Sequence, residues 1–253
     1  EAAESGLGFT DFAQTWLGEI VAQVTGMTGR RPALFGICQG GVFALCHGAH
    51  HPEAVAGLAL TGTPVDFHAD LSAREGALNR LARSLPRDVI EELMAPRNLL
   101  PGALIGALFQ AITPGRTFVK YSLGLSELAH DPDGLERFMA MEAWLADRPN
   151  HPSVATREWL VELYQKNALI AGAFRVADRP VALGEITCPV LNIIGRRDHI
   201  VPPECSRALE THLRPGLYRS VETETGHIGV MVSRRGKDRV AEALATWLKD
   251  LPA

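Results

Sequence analysis

The four cysteines, Cys38, Cys46, Cys188 and Cys205, contain no C-x-x-C pair, and no histidine cluster is spaced to complete a tetrahedral metal site with them. That spacing excludes a tetrahedral zinc site and fits a reducing compartment with at least Cys38 free. No lysine or arginine block is long enough to follow a phosphate backbone. With Lys plus Arg at 25 against Asp plus Glu at 29, a net charge of -4, nucleic acid is excluded as a partner. Long apolar runs are missing too. The most apolar stretch, Leu99 to Ile112, is interrupted by Pro101 and Gly102 and falls short of a membrane span. No cationic start with an apolar core and a cleavage site is visible, although a chain opening at Glu1 leaves any upstream segment unread.

What is present is the composition of a globular α/β chain, with 46% apolar and 21% charged residues, 24 Gly and 16 Pro among 253 residues. Phe12, Trp16, Leu17, Ile20 and Val24 recur at helical spacing and predict an amphipathic helix from a Thr10 cap to Gly26 or Gly29. A short strand follows at Ala33 to Ile37, then a helix through Val42, Phe43, Leu45 and Cys46 to about His50. A second strand is expected at Val55 to Leu60, closed by Thr61-Gly62-Thr63-Pro64. Between Asp66 and Asp178 the apolar spacing is helical with Pro and Gly punctuation. Sheet character returns at Val190 to Ile194, followed by a helix from Pro203 through Leu209 and Leu213. A last strand is expected at Leu217 to Val221 and a closing helix from about Lys237, with Val240, Leu244, Trp247 and Leu248 inward.

This order is the C-terminal half of a doubly wound α/β sheet of α/β-hydrolase type. Residues 1–65 and 179–253 form its core and 66–178 a mostly helical cap or insertion. Ala33 to Ile37 is apolar on both faces, as a central parallel strand is, yet too little chain precedes it to supply a neighbour on its far side. The N-terminal strands are therefore expected to be absent from this chain.

The chemistry gathers at Gly36-Ile37-Cys38-Gln39-Gly40-Gly41, where a strand ends and a helix begins. That is the setting of a nucleophile elbow, a strained turn whose nearby glycines let the backbone double back, here with a thiol as nucleophile. The following helix N-terminus supplies part of the field a thiolate needs. In this topology the partners come later, acid first and then histidine, from loops after later strands. Asp198 follows the strand at 190–194, and His227 lies in a glycine-flanked loop after the last strand. His227 would take the thiol proton and return it, while Asp198 would hold the imidazole tautomer or act on a substrate hydroxyl. His199 is the second-choice base. The oxyanion falls to the backbone N–H of Gln39 and to one N–H from an earlier loop that this chain lacks, so the isolated polypeptide is expected to bind less well or to be inactive. The competing structural readings are a buried thiol at Cys38, a packed loop histidine at His227 and a turn cap at Asp198. Neither the G-x-G-x-x-G spacing nor a Lys-Ser/Thr pair occurs at the glycine loop, so a nucleotide cofactor is not expected.

Six segments in order, Gly36 to Gly41, Thr63 to Phe67, Asn167 to Gly172, Cys188 to Asn192, Asp198 to Pro203 and Gly226 to Gly229, resemble the catalytic subunit of polyhydroxyalkanoate synthases, class III, the type that works with a second, noncatalytic subunit. The resemblance runs from about Asp11 to Leu251. It implies an acyltransferase that polymerises (R)-3-hydroxyacyl-coenzyme A, typically short-chain, into a polyester with release of CoA. CoA is then part of the substrate and the product, with no cofactor and no metal. The family's nucleophile falls on Cys38, its acid on Asp198 and its histidine on His227; the aspartate assists activation of the attacking 3-hydroxyl. Further implications are a cap over the cysteine, a homodimer, the second subunit, and a cytoplasmic location at the surface of polyester granules. Two other readings compete: a cysteine-dependent thioesterase or esterase using water as acceptor, and a non-enzymatic granule or scaffold protein. Phe109, Phe118, Trp144 and Trp159 are candidates for lining the acyl route, each with simple core packing as the alternative.

Overall fold

The computed structural model describes residues 4–69, 76–94, 99–112 and 131–251. The chain enters through one π-helical segment, Asp11–Trp16, that runs into α1 (Leu17–Thr28), which ends at Gly29 in the left-handed region with φ of 67°. Next come β1 (Ala33–Ile37), α2 (Gln39–His50) and β2 (Gly57–Thr61). Later in the chain are β3 (Val190–Gly195), α3 (Pro203–Arg207), β4 (Tyr218–Thr223) and α4 (Arg234–Lys249). The four strands form one parallel sheet in the order β1-β2-β3-β4.

β2 and β3 are buried at every position, because both faces of the sheet are covered. Leu58, Leu60 and Val190 join Phe9, Leu45, Phe67 and Leu169 on one side, with α2 packed there. Ala59, Leu191 and Ile193 join Val230, Val240 and Trp247 on the other, under α4. Strand alternation splits consecutive residues between two cores, and the doubly wound α/β architecture expected from the sequence follows. Asn192 in the middle of β3 donates to the carbonyl of Ser206 at 3.0 Å and to the Tyr218 hydroxyl at 3.1 Å, tying the strand to α3 and β4.

The register sets the place of the site. Ile37 lies opposite Thr61, Thr61 opposite Ile193, and Ile193 opposite Val221. The carboxyl ends of all four strands therefore emerge along one edge of the sheet, the rim where open α/β sheets carry their chemistry.

The chain divides into two compact units, Glu1–Leu7 with Pro86–Arg157, and Gly8–Leu85 with Glu158–Ala253. In the first, helices Arg87–Leu93, Gly102–Ile112, Pro132–Ala146 and Ser153–Arg157 are joined by a two-residue bridge, Leu99–Leu100 against His151–Pro152. Asp131 caps Pro132–Ala146 by accepting from the Gly134 N–H at 2.9 Å, with Pro132 in the first turn. The second unit adds helix Ala77–Ser84 and the π-helical segment Glu158–Gln165 to the sheet and its helices.

Several details depart from the sequence reading. Thr10 does not cap the first helix; its hydroxyl accepts from the Ala177 N–H at 2.9 Å. Phe9, Ala13 and Val21 point into the core, with Leu17 packed against it, while Trp16 and Ile20 are exposed, because the wide π turn rotates the helix away from its 3.6-residue register. Trp144 is 63% exposed and so is not core, and Leu248 is exposed although Val240 and Trp247 on the same helix are buried. β2 begins two residues later than expected, and the helix after Pro203 tightens at Ala208 into a 3₁₀ turn through His212. α4 starts at Arg234, where Ser233 accepts from the Gly236 N–H at 3.1 Å. Phe118 lies outside the described residues. β1 is an edge strand among the described residues, with Phe35 and Ile37 exposed.

Candidate active site

Cys38 stands between β1 and α2 with φ of 52° and ψ of -118°, a conformation that a side-chain-bearing residue adopts only under strain. Its amide donates to the Thr61 carbonyl at 2.9 Å, so the parallel ladder of β1 and β2 continues one residue into the turn. Its own carbonyl accepts from the Gly41 N–H at 3.0 Å, which closes the first turn of α2.

Two glycines make this bend sterically possible. A Cβ on Gly36 would lie 2.4 Å from the Gly41 Cα, and a Cβ on Gly41 would lie 1.9 Å from the Thr63 Oγ1. At Gly40 a Cβ would meet nothing within 4 Å, so this third glycine, expected from sequence to serve the bend, is not needed for space. Gln39 opens α2, and its N–H is one of the first-turn amides with no carbonyl partner inside the helix.

Asp198 and His227 leave neighbouring strands. The Arg196 N–H donates to the Thr223 carbonyl at 2.8 Å and the Arg197 N–H to the Thr225 carbonyl at 3.0 Å, so the exits of β3 and β4 are zipped together. His227 Nδ1 donates to Asp198 Oδ2 at 2.6 Å. The other carboxylate oxygen, Oδ1, accepts from the N–H groups of Ile200 and Val201, both at 2.9 Å. Asp198 is buried, with both oxygens engaged. This anchoring fixes the imidazole through Nδ1 and leaves Nε2 uncommitted, and the Cys38 side chain is close enough to act on the charge of the ring. The three residues singled out in the sequence therefore meet in one place, while the carboxylate of Asp198 goes to His227 rather than to the adjacent His199.

Burial works against a charged imidazole at His227, but its interactions with the Asp198 carboxylate and the Cys38 side chain outweigh it, and the pKa is pushed up to about 10. A base so tuned holds the thiol proton firmly once it has taken it. The sign for stability follows from linkage. With the folded value raised above the ordinary 6.5, the imidazolium contribution is complete below about pH 6.5 and is lost as pH rises through about 10. His227→Gln is therefore expected to lower the melting temperature more at pH 6 than at pH 10.5, as paired thermal melts of parent and variant would check.

Cys46, Cys188 and Cys205 are buried, and burial pushes the Cys188 thiol up to about 11 and the Cys205 thiol up to about 12. These thiols are protonated at neutral pH, which leaves the half-buried Cys38 as the accessible one. Among the described residues no group of three or more His, Cys, Asp or Glu side chains could hold a metal ion, and no helix is long and apolar enough to cross a membrane.

The turn after β2 has a part in the site that no sequence motif marks. Thr61 holds the nucleophile's amide, and Gly62 stands against His227 and Asp198. The only sequence signal was a glycine directly after a strand in a Thr-Gly-Thr-Pro stretch.

A family model described as the alpha/beta hydrolase fold matches residues 5–233. The chain belongs to the alpha/beta hydrolase fold family. Among curated members related to this alpha/beta hydrolase, a poly(3-hydroxyalkanoate) polymerase subunit PhaC from Allochromatium vinosum is 33% identical over 217 residues, 86% of this chain and 59% of that protein. The PhaC subunit from Synechocystis is 32% identical over 221 residues, 86% of this chain and 57% of that protein. The chain thus spans less than two thirds of the length of these relatives. Among solved structures, a non-heme bromoperoxidase BpoC from Mycobacterium tuberculosis superposes with a TM-score of 0.55 at 18% identity, covering 99% of this chain and 80% of that one, which speaks to the fold alone.

Proposed function

We propose that this protein is an acyltransferase that polymerises (R)-3-hydroxyacyl-CoA into a polyhydroxyalkanoate through a thioester on Cys38. The observation that carries the reading is the meeting of the Cys38 side chain, at a strained strand-to-helix turn, with a His227 ring hydrogen-bonded to the Asp198 carboxylate. Its similarity to PhaC subunits supports the choice of substrate.

In the first step His227 takes the Cys38 proton and the sulfur attacks the thioester carbonyl of the incoming acyl-CoA. The Gln39 N–H receives the oxyanion, and the CoA thiolate leaves with the proton returned by His227. In the extending step the 3-hydroxyl of one acyl unit attacks the carbonyl of another held as a thioester. Its proton passes to His227, an ester bond forms and a thiol is released. Asp198 has one oxygen on His227 and the other on two backbone N–H groups, so three of its roughly four acceptor sites are already engaged. We therefore place its help to the hydroxyl through the imidazole, whose tautomer and charge it sustains. Residues 1–65 and 179–253 serve as the catalytic core and 66–178 as its helical cap. A homodimer, a second noncatalytic subunit and residence in the cytoplasm at the surface of polyester granules belong to the same proposal.

The test is a paired measurement of CoA release and polymer on the full-length protein given 3-hydroxybutyryl-CoA. CoA release matched by polymer is expected. Release of CoA with free 3-hydroxy acid and no polymer would make the protein a thioesterase, and no release in the complete, partnered protein would overturn the enzymatic reading.

A further inference from the structure

The turn that ends β2 touches every member of the site. Thr61 accepts the Cys38 N–H through its carbonyl at 2.9 Å. Thr63 fills the space beside Gly41, and its carbonyl accepts from the Ser206 hydroxyl at 2.6 Å. Between them, Gly62 adopts φ of +55° and donates its N–H to the Ile193 carbonyl at 3.2 Å. A side chain at this position would point at the imidazole: an ideal Cβ would stand 3.0 Å from His227 Cε1, 3.1 Å from Nδ1 and 3.4 Å from Asp198 Oδ2.

We propose that Gly62 is a positioning residue, whose bare Cα forms the wall against which the His227 ring rests and which keeps that ring in line between Asp198 and Cys38. This inference rests on His227 being the base for Cys38, but not on what is polymerised.

The ring cannot retreat along its Nδ1 side, where the 2.6 Å bond to Asp198 holds it and the Asp198 carboxylate is itself fixed by Ile200 and Val201. A methyl group at position 62 can be accommodated only by swinging the ring, and the swing carries Nε2 away from the thiol. Misplacement of a catalytic group by about 1 Å can cost roughly a hundredfold in rate.

Backbone strain has to be separated from this displacement, and the protein contains its own control. Gly172 has φ of +66°, and a Cβ there would meet nothing within 4 Å. Gly172→Ala thus imposes left-handed strain without touching the site. Gly62→Ala imposes the strain and the contact together. Gly62→Asn keeps the added Cβ but relieves the strain, since asparagine visits this region readily, and it carries the test should the alanine variant fail to fold.

The readouts are the midpoint of the His227 ring resonance, assigned by its loss in His227→Gln, and the rate of Cys38 alkylation by iodoacetamide across pH. Both Gly62 variants should bring the His227 midpoint down from about 10 towards its ordinary 6.5. Both should slow alkylation at neutral pH by about tenfold or more, with kcat falling more than KM changes. Gly172→Ala should leave both readouts at parental values. A folded Gly62→Ala or Gly62→Asn with the parent's titration and alkylation rate would overturn the proposal, as would an equal change in Gly172→Ala. A protein that makes no polymer yet shows the contrast loses the polymerase reading and keeps the role of Gly62; polymer with an unmoved titration does the reverse.

Discussion

Cys38→Ser is expected to cut turnover by on the order of a thousandfold or more, within the roughly millionfold cost of deleting a nucleophile outright. Serine keeps nearly the same size and leaves the strained backbone at φ of 52° unchanged, so the elbow and the melting temperature should be nearly parental. What changes is the acidity of the attacking group. A hydroxyl holds its proton far more tightly than a thiol, and an imidazole raised to about 10 by a carboxylate and a thiol does not compensate for that difference. The same imidazole would also be held protonated less firmly once the sulfur is gone, because the Cys38 side chain is among the causes of its raised value. Initial rates of CoA release from the variant and the parent measure the loss. A serine variant within about tenfold of the parent would mean that the thiol is not the group that attacks.

Asp198→Asn should cost about ten-thousandfold in turnover while leaving the fold in place, the size of effect seen when a triad carboxylate is replaced by its amide. The hydrogen bonds around the residue show how. The Oδ1 position must remain an oxygen, since it accepts from Ile200 and Val201 at 2.9 Å each. The amide nitrogen is therefore turned towards His227 Nδ1, a donor facing what had been a donor. The ring can answer only by moving its proton to Nε2, and that proton then points at Cys38, so the base is blocked. The expected signature is loss in both acylation and extension, because the carboxylate acts through the imidazole in each. Single-turnover CoA release and the rate of polymer growth would check it. Extension failing while acylation stays normal would instead place Asp198 directly on the substrate hydroxyl.

The site was more legible in the sequence than the packing around it. Cys38, Asp198 and His227 could be found because each sits where a strand gives way to a turn, and such junctions carry glycine and proline signatures that depend on few neighbours: Gly36 and Gly41 around the thiol, Pro202 after the aspartate, Gly226 and Gly229 around the histidine. β1 and β3 were equally plain, as short apolar runs closed by glycine. Which face of the first helix turns inward was not legible. Periodicity assumes 3.6 residues per turn, and the π turn at Asp11–Trp16 breaks that count, so Phe9 and Ala13 replace Trp16 and Ile20 in the core. Trp144 shows a second limit, since an aromatic at helical spacing reads as buried whether or not anything covers it. Gly62 shows a third. The sign of φ and the identity of the ring it faces depend on residues 136 and 165 positions away, Asp198 and His227, and no local pattern encodes them.

The central claim is that an acyl group resides on one sulfur. Rapid quenching of the full-length protein after brief exposure to 3-hydroxybutyryl-CoA, followed by mass spectrometry of the peptide spanning Ala33 to His50, tests it most directly. The account predicts a 3-hydroxybutyryl adduct on Cys38 rather than on Cys46 in the same peptide, absent from Cys38→Ala. An unmodified Cys38 in protein that is releasing CoA, or an adduct that survives its replacement by alanine, would contradict it.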